Sequence, residues 1–105
     1  MSYEIAVCYG RPNDPAAFDD YYVATHIPLA IAVPGLAGFS WSKCTALDGG
    51  EPPYYAVAHL QFETEAALRE ALSSPEMKAA GRDVRNFATG GVTMYTEQIQ
   101  SRRKL

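Results

Sequence analysis

His26 ends the stretch Tyr22-Val23-Ala24-Thr25-His26, with Pro28-Leu29 just beyond it. A neutral imidazole takes up or releases a proton near pH 7, so a histidine beside a cavity can serve as a general acid or base. Tyr22 lies four residues earlier, one helical turn back on the same face. Its phenol would orient the ring or bind a developing oxyanion. Asp83, within Gly81-Arg82-Asp83-Val84-Arg85-Asn86-Phe87, would pair with the histidine, hold its tautomer and set its charge. Each residue also has a plainer use. A histidine at a helix end caps the last carbonyls, and an acid between Arg82 and Arg85 suits a solvated helix face. For His26 and Asp83, spacing alone favours the plainer use.

A second set would line a binding pocket. Trp41, Tyr55 and Tyr95 offer aromatic walls, and His59 a further polar group. Core and interface packing is the commoner use of such aromatics. The two histidines lack the short spacing of a helical zinc motif, and no cysteine or carboxylate cluster in the sequence completes a metal site around either. Cys8 and Cys44, the two cysteines of the chain, read as small buried hydrophobes. No glycine-rich phosphate loop or nucleophile-elbow motif is present.

The elements that must carry these residues follow from periodicity. Tyr3 to Tyr9 alternates as a strand, with Ile5, Val7 and Tyr9 on one face. Asp14-Pro15 is an N-cap followed by a first helical residue. Phe18, Tyr22, His26 and Leu29 then form one helical stripe. Pro28 disfavours helical geometry at Ile27 and is expected to end or kink the helix there. After Val33-Pro34-Gly35-Leu36, strands are predicted over 38–46 and 54–62, joined by the Asp48-Gly49-Gly50 turn and so antiparallel. Thr64 caps a second helix. Ser73-Ser74-Pro75 breaks it, and a further helical piece runs over 75–87. The last strand is predicted over 92–99. The order β-α-β-β-α-β is the split βαβ pattern of an α+β, ferredoxin-like domain, with strand order 4-1-3-2.

With 105 residues the chain suits one domain, spanning 1–100, followed by a basic tail over 101–105. The formal net charge is −3, from nine basic and twelve acidic residues. Three of the nine basic residues, Arg102, Arg103 and Lys104, lie in the tail. The body is therefore acidic, which argues against nucleic acid as a partner. No apolar run approaches the ~20 residues needed to cross a bilayer. The start of the chain lacks the basic and apolar regions of a secretory leader. A cytoplasmic protein with reduced thiols is the expectation.

Four antiparallel strands with the helices on one side leave the other sheet face uncovered. Trp41, Tyr55 and Val57 are assigned to that face beside His59, which makes it apolar and marks it for burial. Two such faces would cover each other in a homodimer, with a pocket between sheet and helices in each subunit.

Phe18, Tyr22, His26, Pro28-Leu29 and Pro34-Gly35-Leu36 are followed by Phe62-Glu63-Thr64-Glu65-Ala66-Ala67-Leu68, Ala71-Leu72, Ser74-Pro75, Asp83 and Phe87. This combination resembles the EthD family of the dimeric α+β barrel superfamily, from Tyr3 to about Glu97. The Tyr-x-x-x-His-x-Pro-Leu block with its downstream Pro-Gly is the specific part. The resemblance implies a ferredoxin-like homodimer with a pocket between sheet and helices. The His26 position would be its recurrent polar group. The family takes its name from a gene cluster for ethyl tert-butyl ether breakdown. Similar proteins include isomerases, dehydratases and decarboxylases of lyase type, and polyketide cyclase-like relatives. These work without metal or organic cofactor by moving protons on activated small molecules. Two functions are thereby expected. One is a cofactor-independent acid–base enzyme on a small apolar carbonyl or enol compound, with His26, Tyr22 and Asp83 as its catalytic set. The alternative is a non-catalytic binding or accessory protein for an oxidoreductase system of ether or aromatic degradation.

Overall fold

The computed structural model describes residues 2–105. β1 (Tyr3–Tyr9) leads through α1 (Pro15–Tyr21) and α2 (Ile27–Ile31) to the hairpin of β2 (Gly38–Lys43) and β3 (Ala56–Phe62). α3 (Glu65–Leu72), α4 (Pro75–Asp83) and β4 (Val92–Gln98) complete the chain. All strand pairs are antiparallel and the sheet order is β2-β3-β1-β4. This is the expected α+β, ferredoxin-like arrangement. Asp14, Thr64 and Ser74 each cap a helix, their side-chain oxygens accepting from the backbone N–H three residues on, as their residue types dictate. The late helix is shorter than expected. α4 stops at Asp83 and a tight 3-10 turn covers Val84–Asn86.

Pro28 neither ends nor breaks the first helical segment. Helical structure runs on to Ile31, with Ile27 itself in right-handed helical geometry. A π turn over Tyr22–His26 makes this possible, its wide ring closed by the Ile27 N–H bonding to the Tyr22 carbonyl five residues back. Proline lacks an N–H, and its ring presses on the carbonyl four residues earlier in a regular helix. A widened turn just before the proline relieves that pressure. It also changes the phase of the stripe. Phe18, Tyr22, His26 and Ala30 are the buried positions, while Leu29 is only half-buried.

The pleat puts Ile5, Val7, Tyr9, Ala58, Leu60 and Phe62 beneath the helices, where they form the core with Phe18, Tyr22, Leu68 and Phe87. Two aromatic assignments change here. Trp41 pairs with Ala58 and stacks on Tyr22 at 4.5 Å between ring centroids, so it faces the helices. Tyr55 precedes the first residue of β3 and escapes its alternation. Its ring meets Phe18 edge-on at 5.4 Å and its hydroxyl donates to Asp19 at 2.8 Å. The uncovered face is consequently less apolar than predicted. It carries Glu4, Ala6 and Cys8 from β1 and Val57, His59 and Gln61 from β3. Ser40 and Ser42 of β2 and Thr93, Tyr95 and Glu97 of β4 complete it.

The segment after Asp83 is pinned to the end of β1 by a close backbone crossing. A Cβ on Gly10 would lie 2.1 Å from the Gly90 carbonyl oxygen, and one on Gly90 would lie 2.2 Å from that of Arg11. Both obstacles are backbone and cannot rotate away. The Gly10 N–H donates to the Gly91 carbonyl at 3.0 Å, and the Asn13 N–H to Thr89 Oγ1 at 2.9 Å. Gly10→Ala should therefore cost about 1–3 kcal/mol, as overpacking does. Urea unfolding measures this, and an unchanged midpoint would show that the crossing can part freely.

Candidate active site

A cavity of about 340 Å³ lies between the sheet and the helices. Its floor includes Ile5, Val7, Ala58 and Leu60, and its roof Ala30, Met77, Ala80, Gly81 and Val84. The space exists because small residues stand where large ones would meet. Ala58 lies on the floor, Ala30 and Ala80 lie opposite, and a Cβ on Gly81 would touch nothing within 4 Å. Leu72 and Met94, about half exposed, mark where the cavity meets solvent.

His26, Tyr22 and Tyr9 bring polar atoms to this otherwise apolar wall. His26 is 4% exposed and is held by Asp83, whose Oδ2 lies 2.9 Å from Nδ1. The other carboxylate oxygen, Oδ1, accepts from the Tyr21 hydroxyl at 2.5 Å and from Asn86 Nδ2 at 3.0 Å. Burial works against a charge on Asp83. The hydrogen bonds from Tyr21, His26 and Asn86 outweigh it and hold the carboxyl below its usual range. An ionised Asp83 accepts the Nδ1 proton and fixes the tautomer. Nε2 is then the imidazole atom left for the cavity, with no protein partner among the described residues. The bond to Asp83 also raises the Tyr21 phenol, with burial adding to it.

Tyr22 packs against the imidazole with ring centroids 5.1 Å apart. It walls the ring, while Asp83 orients it. Burial pushes the Tyr22 phenol up to about 12, the Tyr9 hydroxyl offsetting part of the rise. Burial and the Tyr22 phenol push Tyr9 up as well. Both phenols therefore stay protonated at neutral pH and act as hydrogen-bond donors. Phe87 closes the far side of His26 at 4.6 Å.

Of the residues expected to carry chemistry, the structure brings His26, Tyr22 and Asp83 together, from the π turn and the end of α4. The expected binding residues are scattered. Trp41 backs Tyr22 from outside the cavity, and Tyr55 borders a different hollow with Arg11 and Lys43. His59 lies on the uncovered sheet face with its Nε2 3.5 Å from Glu97 Oε1. Tyr95 borders the cavity through β4, but its hydroxyl lies 4.0 Å from Cys8 Sγ on the opposite face. Strand pairing also brings Glu4 and Glu97 to His59, with one ligand atom from each within 4.8 Å of the others. That carboxylate cluster is invisible in the linear spacing. Tyr9, Tyr21 and Asn86 were absent from the expected set. Asn86 had a signal, since it follows Asp83 by three residues and so shares its face. Tyr21 had only its place beside Tyr22.

The Asp83 network has a pH signature. A carboxyl whose folded value lies below its ordinary 3.8 binds protons more readily in the unfolded chain. Its stabilisation is complete above that ordinary value and is lost as pH falls through the folded one. Asp83→Asn should flatten that acid limb. Urea midpoints taken between about pH 5 and about pH 2 compare the two proteins. Parallel losses in both would refute the assignment.

The chain is an α+β protein with a ferredoxin-like sheet, and His26, held by Asp83, lines a cavity under its helices. Residues 11–91 match the model of the EthD domain, and the chain belongs to the EthD family. It is 47% identical over 97 residues to an 11.0 kDa protein of the thcB–thcC intergenic region in Rhodococcus erythropolis, covering 91% of this chain and 94% of that one. The crystal structure of an EthD family protein from Bacillus halodurans superimposes with a TM-score of 0.87 at 28% identity, over 95% of this chain and 100% of that one. A dimeric ferredoxin-like protein from Thermobifida fusca shares the fold, with a TM-score of 0.69 at 16% identity over 94% and 92% of the two chains.

Proposed function

We propose that this protein is a cofactor-independent acid–base catalyst acting on a small, apolar carbonyl or enol compound. One observation carries the reading: a buried imidazole pairs through Nδ1 with Asp83 and lines an apolar cavity. With Nδ1–H donated to the carboxylate, Nε2 of the neutral ring carries the lone pair. It takes a proton from carbon next to the substrate carbonyl. The electron pair of that C–H bond becomes the enolate, and its negative charge sits on oxygen. Tyr22, kept protonated by burial, donates a hydrogen bond to that oxygen. Return of the proton from Nε2 to a different atom isomerises the molecule. Instead, collapse of the enolate with loss of a β-hydroxyl, which takes the proton from Nε2 and leaves as water, dehydrates it and restores the neutral ring. The apolar walls hold few groups that would bind water beside the reacting atoms, which strengthens each electrostatic contact inside.

The functional unit we infer is a homodimer, joined through the uncovered sheet face. The dimeric state of the Thermobifida relative and the row of unhelixed strand residues support it, with Tyr95, Val57, Ala6 and Cys8 as its apolar part. Native mass spectrometry reads this state directly.

Deuterium uptake tests the chemistry. A panel of neutral cyclic and aryl ketones is incubated with the protein in D₂O, and exchange next to the carbonyl is followed by NMR. At least one member should exchange well above the buffer rate. Binding of the panel without exchange would overturn catalysis and leave the accessory role in an oxidoreductase system.

A further inference from the structure

The cavity combines one cluster of polar atoms with an anion behind it. Tyr9, Tyr22 and His26 are contiguous, with ring centroids 5.6 Å and 5.1 Å apart along the series. Thr96 and Tyr95 of β4 are the other lining residues with polar side chains, the Tyr95 hydroxyl lying on the opposite face near Cys8 Sγ, and no lysine or arginine lines the space. Arg82 and Arg85, the cations nearest Asp83 in sequence, are exposed. The positive charge this wall can present is the imidazolium of His26. That charge is already matched by Asp83, whose oxygen lies 2.9 Å from the ring.

We infer that the cavity selects neutral molecules with a single polar end and rejects carboxylates of the same shape. The inference rests on the reading of this cavity as the substrate site. A substrate carboxylate at Nε2 would put two anions on opposite sides of one imidazole ring. The assembly would carry a net negative charge against the apolar side chains of Leu60, Phe39, Met77 and Val84, which solvate it poorly. Burying an unpaired charge is costly, and no second cation offsets it. A ketone, aldehyde or phenol brings no such charge. Its oxygen accepts from Tyr22, or its hydroxyl donates to Nε2. The substrate class is therefore an uncharged carbonyl or hydroxy compound of bicyclic size with an apolar body.

Three naphthalene derivatives of one frame test this by calorimetry at neutral pH: methyl naphthyl ketone, methyl naphthoate and naphthoate. The ketone and the ester should bind, and naphthoate should bind at least ~10-fold more weakly. In Asp83→Asn the anion behind the imidazole is gone, and the gap between ester and acid should narrow by a similar factor. Equal binding of ester and acid to the wild-type protein overturns the inference, as does failure of ketone and ester to bind at all. Should Asp83→Asn not fold, the wild-type ester-to-acid ratio decides alone. Catalysis fails separately. If the ester is preferred but no ketone exchanges its protons, the selectivity stands and the enzymatic reading falls.

Discussion

His26→Gln should lower proton exchange on a responsive ketone by about 10²–10⁴-fold, the range contributed by a positioned general base. The variant should leave the unfolding midpoint and the assembly mass close to wild type. Glutamine is similar in length, and its amide N–H can replace Nδ1–H as donor to Asp83. The buried carboxylate would keep all three of its hydrogen bonds, so no buried charge is orphaned. What the variant lacks is an atom able to take a proton near pH 7. The experiment thus separates the chemistry of the imidazole from its structural use. Wild-type exchange in a folded His26→Gln protein would remove His26 from the mechanism. Asp83→Asn should fall between the two proteins. An amide can turn its oxygen to Nδ1–H and still orient the ring, but it no longer favours the imidazolium formed when the substrate proton arrives.

The fold was legible because its punctuation is local. Asp14-Pro15, Thr64 and Ser74-Pro75 start helices by satisfying N–H groups a few residues away, and Asp48-Gly49-Gly50 turns one strand back on the next. The stripe of Phe18, Tyr22 and His26 was legible for the same reason, since four-residue spacing places side chains on one face whatever lies opposite. The effect of Pro28 was misread because the usual rule assumes a regular helix before it. Whether the preceding turn widens depends on what the stripe must bury, and that is a property of the sheet beneath. Trp41 and Tyr55 fell on the wrong face for a related reason. Alternation fixes which residues share a face but not which face meets the helices, and Tyr55 stands just outside the strand whose alternation was applied to it. The partners of Asp83 show the limit most clearly. Tyr21 is 62 residues away in the chain, and nothing in either local segment announces the other.

Phe87 links the site to the stability of the whole domain, and Phe87→Ala should be among the most damaging single changes. Its ring meets Tyr9, Phe18, Tyr21, Tyr22 and His26 at centroid distances between 4.6 and 5.6 Å. It is 5% exposed. Truncation removes the side chain's burial and leaves a void that rigid aromatic neighbours cannot close, for a cost of about 3–5 kcal/mol. That is a large share of the roughly 5–15 kcal/mol that holds a domain folded. Denaturant unfolding gives the number, and a loss below about 1 kcal/mol would show that the aromatic cluster repacks. Phe87→Leu tests a second consequence. Leucine restores much of the volume but not the flat face against the imidazole. Stability should then recover by more than half, while binding of a neutral ketone stays weakened because His26 has lost one of its two walls. If affinity returns in step with stability, Asp83 alone is enough to hold the ring. The aromatic cluster would then serve the fold and leave the site unaffected.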